Sequence, residues 1–127
     1  TNKLHDTSGL AEHDLRLTIP RFDANNYPAN LSLLPAYVKL AHRQGCTPAQ
    51  LALAWVVAQG DNVIAIPGTQ NLHHLEENIG ANDLVLNADV LAELNGLINQ
   101  QTVHGERYGD RAQASVTTEQ FNVERQQ

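Results

Sequence analysis

Methionine is missing from all 127 residues of this sequence, position 1 included, and cysteine occurs once, at Cys46. The first absence leads to the expectation that the chain is not a complete translation product. The second excludes an internal disulfide framework and suits a reducing cytoplasm. Long apolar runs are lacking too. None approaches the ~20 residues that a membrane span requires, and the start "TNKLHDTSGL" has no signal-peptide core. Positive charge is scarce: 8 Lys and Arg stand against 14 Asp and Glu, for a net charge of -6. Those cations are scattered, so neither nucleic acid nor an anionic membrane is expected as a partner. What remains is an ordinary globular mixture, 42% hydrophobic and 17% charged, in a length usual for one domain.

Thr1 to Ala29 shows little periodicity and many turn formers, among them "FDANNYPAN", and reads as irregular with room for one short helical turn. A helix follows in "LSLLPAYVKLAHRQG", where Leu34, Tyr37/Val38 and Ala41 recur at helical spacing and Gly45 is a stop. Pro35 breaks a helix interior, so the regular part is expected from near Ser32 with the proline in its first turn. "TPAQLALAWVVAQG" is the clearest helix, with Thr47 as N-cap, Pro48 at the first position, Gln50 completing a capping box and Gly60 as its close. Its middle, "LALAWVVA", is apolar around nearly the whole circumference and demands neighbours on more than one side.

One strand is convincing. "DNVIAIPG" is a short continuous apolar run, β-branched at Val63, Ile64 and Ile66 and ended by Pro67-Gly68. Such a run predicts a parallel strand over 63–66, buried on both faces. Asn71 can cap a helix from Leu72 to about Ile79, stopped by Gly80. Asn87 or its neighbour can cap a last one, "ADVLAELNGLIN", with Leu91, Leu94 and Leu97/Ile98 as its stripe. From Gly105 the tail is polar and Gln-rich, either disordered or laid as an extended segment on a larger body. The order helix, helix, strand, helix, helix leaves a buried strand with nothing to pair with, which is costly. The sequence therefore reads as a helix-rich piece of an α/β protein whose other strands lie elsewhere.

The chemistry concentrates in "IPGTQNLHHLEEN". A strand ends at Pro67, Gly68-Thr69 turns tightly, and a helix opens near Asn71. Free N–H groups and the positive dipole end of that helix favour an anion. The Thr69 hydroxyl and the Asn71 side chain can add hydrogen bonds to phosphate oxygens, and His74 stands one turn along. Glu77 and Asn78, a further turn on, can meet an amino-bearing ring. Strand–Gly–helix junctions occur in most α/β folds, so on pattern alone an ordinary βα turn with a solvated helix face is the commoner reading.

Five stretches in this order, "TIPRF", "CTPAQLALAW", "VIAIPGT", "LEENIGA" and "GERY", closely resemble the C-terminal part of aldo-keto reductases, over about Leu15 to Tyr108. The resemblance implies a (β/α)8 TIM barrel that reduces aldehydes or ketones to alcohols with a nicotinamide cofactor, usually NADPH, at the C-terminal ends of its strands. Residues 1–108 would be the C-terminal part of one barrel, residues 109–127 a polar tail, "VIAIPG" the eighth strand, and "TNKL" the end of the loop after strand seven. Gly68, Thr69, Gln70 and His74 would line the pocket for the adenosine 2′-phosphate beside the Asn71 helix start. Glu77 and Asn78 would face the adenine. The family usually places arginine at the His74 position, and often at Gln70. Arginine brings a permanent charge and a bidentate fork that histidine lacks at neutral pH, so discrimination between NADPH and NADH is expected to be weak and NAD to be possible.

The same resemblance puts the catalytic Asp, Tyr, Lys and His on earlier strands. Tyr27, Tyr37, Tyr108, Lys3 and Lys39 match none of those positions, so no catalytic residue is assigned here. A cytoplasmic reductase is implied, with a nicotinamide dinucleotide and, in the full-length protein, a small carbonyl compound as its partners. A barrel of this fold that has lost catalysis and works as a cofactor-sensing or channel-associated subunit would carry the same motifs. An independent helical module would fold alone and ignore dinucleotides, against which stands the uncovered "LALAWVVA". The remaining candidates are weaker. His5, His13, His42 and His104 are far apart, and adjacent His73 and His74 diverge by about 100° on a helix, so no metal is expected. Cys46 and Trp55 read as packing residues. Tyr108 reads as a loop anchor or as a residue near the barrel mouth.

Overall fold

The computed structural model describes residues 4–116, the side chains of Asp110 and Arg111 excepted. Among them all regular structure is helical: α1 (Tyr27–Leu31), α2 (Leu34–Arg43), α3 (Pro48–Val57), α4 (Leu72–Gly80), α5 (Ala88–Leu97) and α6 (Asp110–Gln113), with 3-10 turns at Leu15–Thr18, Pro20–Phe22 and Ala81–Asp83. The chain divides into two compact units. One is Pro35–Leu97, and the other joins residues 4–34 to 98–116.

In the first unit the core forms where α2, α3 and α5 converge. Leu40 and Ala41 come from α2, Leu51 from α3, Val90 and Leu94 from α5, and Cys46 from the connection between α2 and α3. Local chemistry sets up each of these helices. Gly45 takes φ +67 and closes α2, while the amide of Cys46 reaches back to the Ala41 carbonyl at 3.1 Å and that of Gly45 to His42 at 3.0 Å. This is the paired closure that a left-handed residue after a helix permits. Thr47 Oγ1 then accepts from the Gln50 amide at 3.1 Å, and Gln50 Oε1 accepts from the Thr47 amide at 3.1 Å, completing the expected capping box. Asn87 Oδ1 accepts from the Val90 amide at 2.9 Å and starts α5.

Two partly buried aromatics tie these helices together. The Tyr37 hydroxyl donates to the Pro48 carbonyl at 2.9 Å, and the Trp55 indole N–H donates to Asn95 Oδ1 at 2.8 Å. Trp55 thus packs on the core and spends its one donor across to α5. Of the expected stripe Leu94 goes inward, but its buried companion is Val90: Leu91 and Leu97 are only partly covered, and Ile98 lies beyond the helix. Val90 and Leu91 point about 100° apart, and packing against α2 and α3 turns Val90 inward.

The expected strand over 63–66 is the clear difference. Residues 63–68 carry no regular structure, and among the described residues no strand exists to pair with them. Ile64 is 83% and Ile66 92% exposed. A strand is a property of a pair, because its N–H and C=O groups point sideways at a neighbour. Without one, an apolar β-branched run is extended chain at most. "LALAWVVA" tells the same story from the helix side. Only Leu51 and Ala54 of α3 are buried, and Val57 is exposed. What the structure supports is a helix-rich body; the barrel itself is not visible in it.

The second unit is built from turns. Asp14 caps the first 3-10 turn, its Oδ1 accepting from the Arg16 amide at 2.9 Å, and pairs with the Arg16 guanidinium at 2.6 Å. Tyr27 lays its ring 5.1 Å from that of Phe22 and donates its hydroxyl to the Leu4 carbonyl at 2.8 Å. Residues 98–116 return to this unit. Part of the expected tail, 109–116, includes the helical turn α6; Lys3 and the tail from residue 117 lie outside the described residues.

Candidate functional site

The turn 67–71 and α4 belong to the first unit, where α4 packs against α3 and the 3-10 turn Ala81–Asp83. Asn71 has extended backbone (φ -112, ψ 125), and its Oδ1 accepts from the His74 amide at 3.2 Å, so it caps α4 as its side chain predicts. Thr69 Oγ1 accepts from the Asn71 amide at 3.1 Å. These two bonds string Thr69, Asn71 and His74 together at the helix start. They also consume two of the amides that an anion would use. The N–H groups of Leu72 and His73 remain without a protein acceptor among the described residues, and the Asn71 amide NH2 is free to donate outward.

Gly68 plays a different part from the one its place in a tight turn suggests. Its φ is not positive, and a Cβ there would meet nothing within 4 Å. No conformational demand selects glycine at this point. Its effect is openness, which leaves the backbone approachable from outside.

Gln70, Asn71 and His74 are exposed, while Thr69, Glu77 and Asn78 are half-buried. His74, Glu77 and Asn78 fall at helical spacings of three and four and so share one side of α4. The rings of His73 and His74 lie 6.2 Å apart and tilted by 45°. No group of three His, Cys, Asp or Glu is placed to hold a metal among the described residues. Cys46 is buried, its thiol donates to the Ala41 carbonyl at 3.6 Å, and burial pushes its pKa up, the reverse of what an activated thiolate needs.

Below α4 lies a feature the sequence did not announce. A cleft of about 290 Å³ opens between α3, the 63–67 segment and α4, lined by apolar side chains such as Leu53, Val57, Leu75 and Ile79 and by Asn78 and Asn82. Its only sequence signal is the all-round apolarity of α3. Tyr108 is half-buried in the second unit, with the Arg107 guanidinium 5.5 Å from its ring centroid.

The sequence model of the Aldo/keto reductase family matches residues 3–99. The chain belongs to the aldo/keto reductase family. A member from the fungus Strobilurus tenacellus, Aldo-keto reductase str7, is 38% identical over 107 residues, covering 84% of this chain and 32% of that relative. The chain thus spans about a third of the length of the curated reductase it matches. Proteins of this family use nicotinamide dinucleotides. The residues of the 67–78 turn and helix fit part of such a group: two open amides, the Asn71 carboxamide and an exposed imidazole offer donors to a phosphate, without the permanent charge of arginine. No helix among the described residues is long and apolar enough to cross a membrane.

Proposed function

We propose that this chain is the C-terminal, cofactor-binding segment of a cytoplasmic NAD(P)H-dependent aldo-keto reductase that reduces a small aldehyde or ketone. The catalytic Asp, Tyr, Lys and His belong to the part of the (β/α)8 barrel outside it. Gly68, Thr69, Gln70, Asn71 and His74 bind the adenosine 2′-phosphate of NADPH at the start of α4, and Glu77 and Asn78 face the adenine. The dinucleotide supplies hydride; this segment's share is to bind and orient its adenosine end.

The observation that carries this reading is the coincidence of the family match with two open amides at the N-terminus of α4, just after a turn that is open at Gly68. Support comes also from the exposed Ile64 and Ile66, the residues that an eighth strand would bury. The test is cofactor binding by the gene product with and without His74→Arg. Because a guanidinium makes two charge-assisted bonds where an imidazole makes one, the substitution should tighten NADPH by roughly tenfold and leave NADH within about twofold. Equal effects on both cofactors would remove the 2′-phosphate from this place.

A further inference from the structure

We infer that residues 104–109, the "HGERYG" stretch, form a strap buckled onto the turn 18–30 by the carboxamide of Asn30. Asn30 uses its carboxamide in both directions. Its Nδ2 donates to the His104 carbonyl at 2.9 Å and to the Arg21 carbonyl at 3.1 Å, while its Oδ1 accepts from the His104 amide at 2.8 Å. The two bonds to His104 copy the N–H and C=O exchange of an antiparallel strand pair, with a side chain standing for the second backbone. A residue 74 positions away is thereby fixed in register.

Two further contacts seat the strap. Arg21 Nε donates to the Gly105 carbonyl at 3.1 Å. Gly105 takes φ +85, and a Cβ there would lie 2.8 Å from the Pro20 carbonyl oxygen and 2.7 Å from Nδ2 of Asn26, which itself donates to that oxygen at 3.0 Å. Only glycine accepts both that φ and that approach. At Gly109 a Cβ would come within 3.0 Å of the Thr18 carbonyl. Position 105 thus has a side-chain-free socket, and the neighbouring buckle bonds face solvent.

That exposure is the reason to regard the contact as one that opens. Water competes for the Asn30–His104 bonds, so they hold the strap without fixing it permanently. With Asn30 removed, the strap loses both of its bonds to His104 and rests on its remaining contacts, the Arg21 bond and the glycine approach among them. Residues 104–109 then exchange more readily between docked and released.

Two probes in the 127-residue chain read the two units separately. Trypsin cleavage after Arg107 reports the strap, with products assigned by mass, and emission from Trp55, the sole tryptophan, reports the α2–α3–α5 core. Asn30→Ala, losing three hydrogen bonds, should speed cleavage after Arg107 by roughly tenfold or more with the Trp55 spectrum unchanged, since cleavage tracks the open population. Gly105→Ala should reproduce this without touching Asn30. Asn30→Asp, which keeps the acceptor but sets a carboxylate oxygen against the Arg21 and His104 carbonyls, should speed cleavage as well. Equal cleavage rates in the parent and all three variants would overturn the strap. So would loss of the Trp55 signal in both Asn30→Ala and Gly105→Ala, because the contact would then be part of the general fold.

Discussion

Gly80 ends α4 with helical backbone (φ -61, ψ -13), where alanine fits without strain and a helix ordinarily gains up to about 1 kcal/mol from the exchange. The structure predicts that this gain is cancelled. A Cβ on Gly80 would stand 2.8 Å from Nε2 of Gln50, whereas ordinary contacts begin at 3.4 Å, so the carboxamide must yield by about 0.6 Å. That carboxamide is not free to move, because its Oε1 holds the Thr47 amide in the capping box of α3. Turning it away leaves a half-buried N–H without its partner, at a cost of about 1 kcal/mol. Gly80→Ala should therefore be neutral or destabilising. In a Gln50→Ala background the obstacle is gone and the box already lost, so the same substitution should stabilise by about 0.5–1 kcal/mol. Urea unfolding of the parent, both single variants and the double variant, followed at Trp55, gives the coupling directly. Two substitutions that add within about 0.3 kcal/mol would refute the reasoning, since groups in contact must couple.

Ile66→Lys should cost less than about 0.5 kcal/mol in the 127-residue chain, where the side chain is 92% exposed, and about 3 kcal/mol or more in a longer product whose barrel buries it. Chemical denaturation of both forms separates the two cases, and equal small effects would remove the eighth-strand reading. Burial pushes the Tyr37 hydroxyl from its ordinary value of 10.0 up to about 12. The folded state therefore holds this proton more tightly than the unfolded state does. The associated stability is complete below pH 10 and is lost as pH rises through 12. Tyr37→Phe should flatten that alkaline decline in denaturation midpoints while forfeiting the bond to the Pro48 carbonyl, at a cost of about 1 kcal/mol.

What the sequence revealed and what it hid divide by distance along the chain. The capping box of Thr47 and Gln50, the Asn71 and Asn87 caps and the left-handed Gly45 all involve partners within five positions, and each is found where the residue types place it. The same locality made the Thr69–Asn71–His74 start of α4 readable. The choice of Val90 over Leu91 as the inward residue of α5, the cleft beside Asn78 and the Asn30–His104 buckle depend on neighbours far along the chain, for which no residue pattern is diagnostic. The 63–66 run is a third kind of case. On the proposed reading its apolar, β-branched character answers to neighbours on both faces, while its exposure records what this chain alone supplies. Leu51, equally apolar, is fully buried because this chain itself supplies its neighbours on α2 and α5. The 63–67 segment and the outer side of α4 form one edge, with Ile64, Ile66, Leu72 and Ile79 in the open. On the proposed reading, that edge is where the remainder of the reductase must bring its strands.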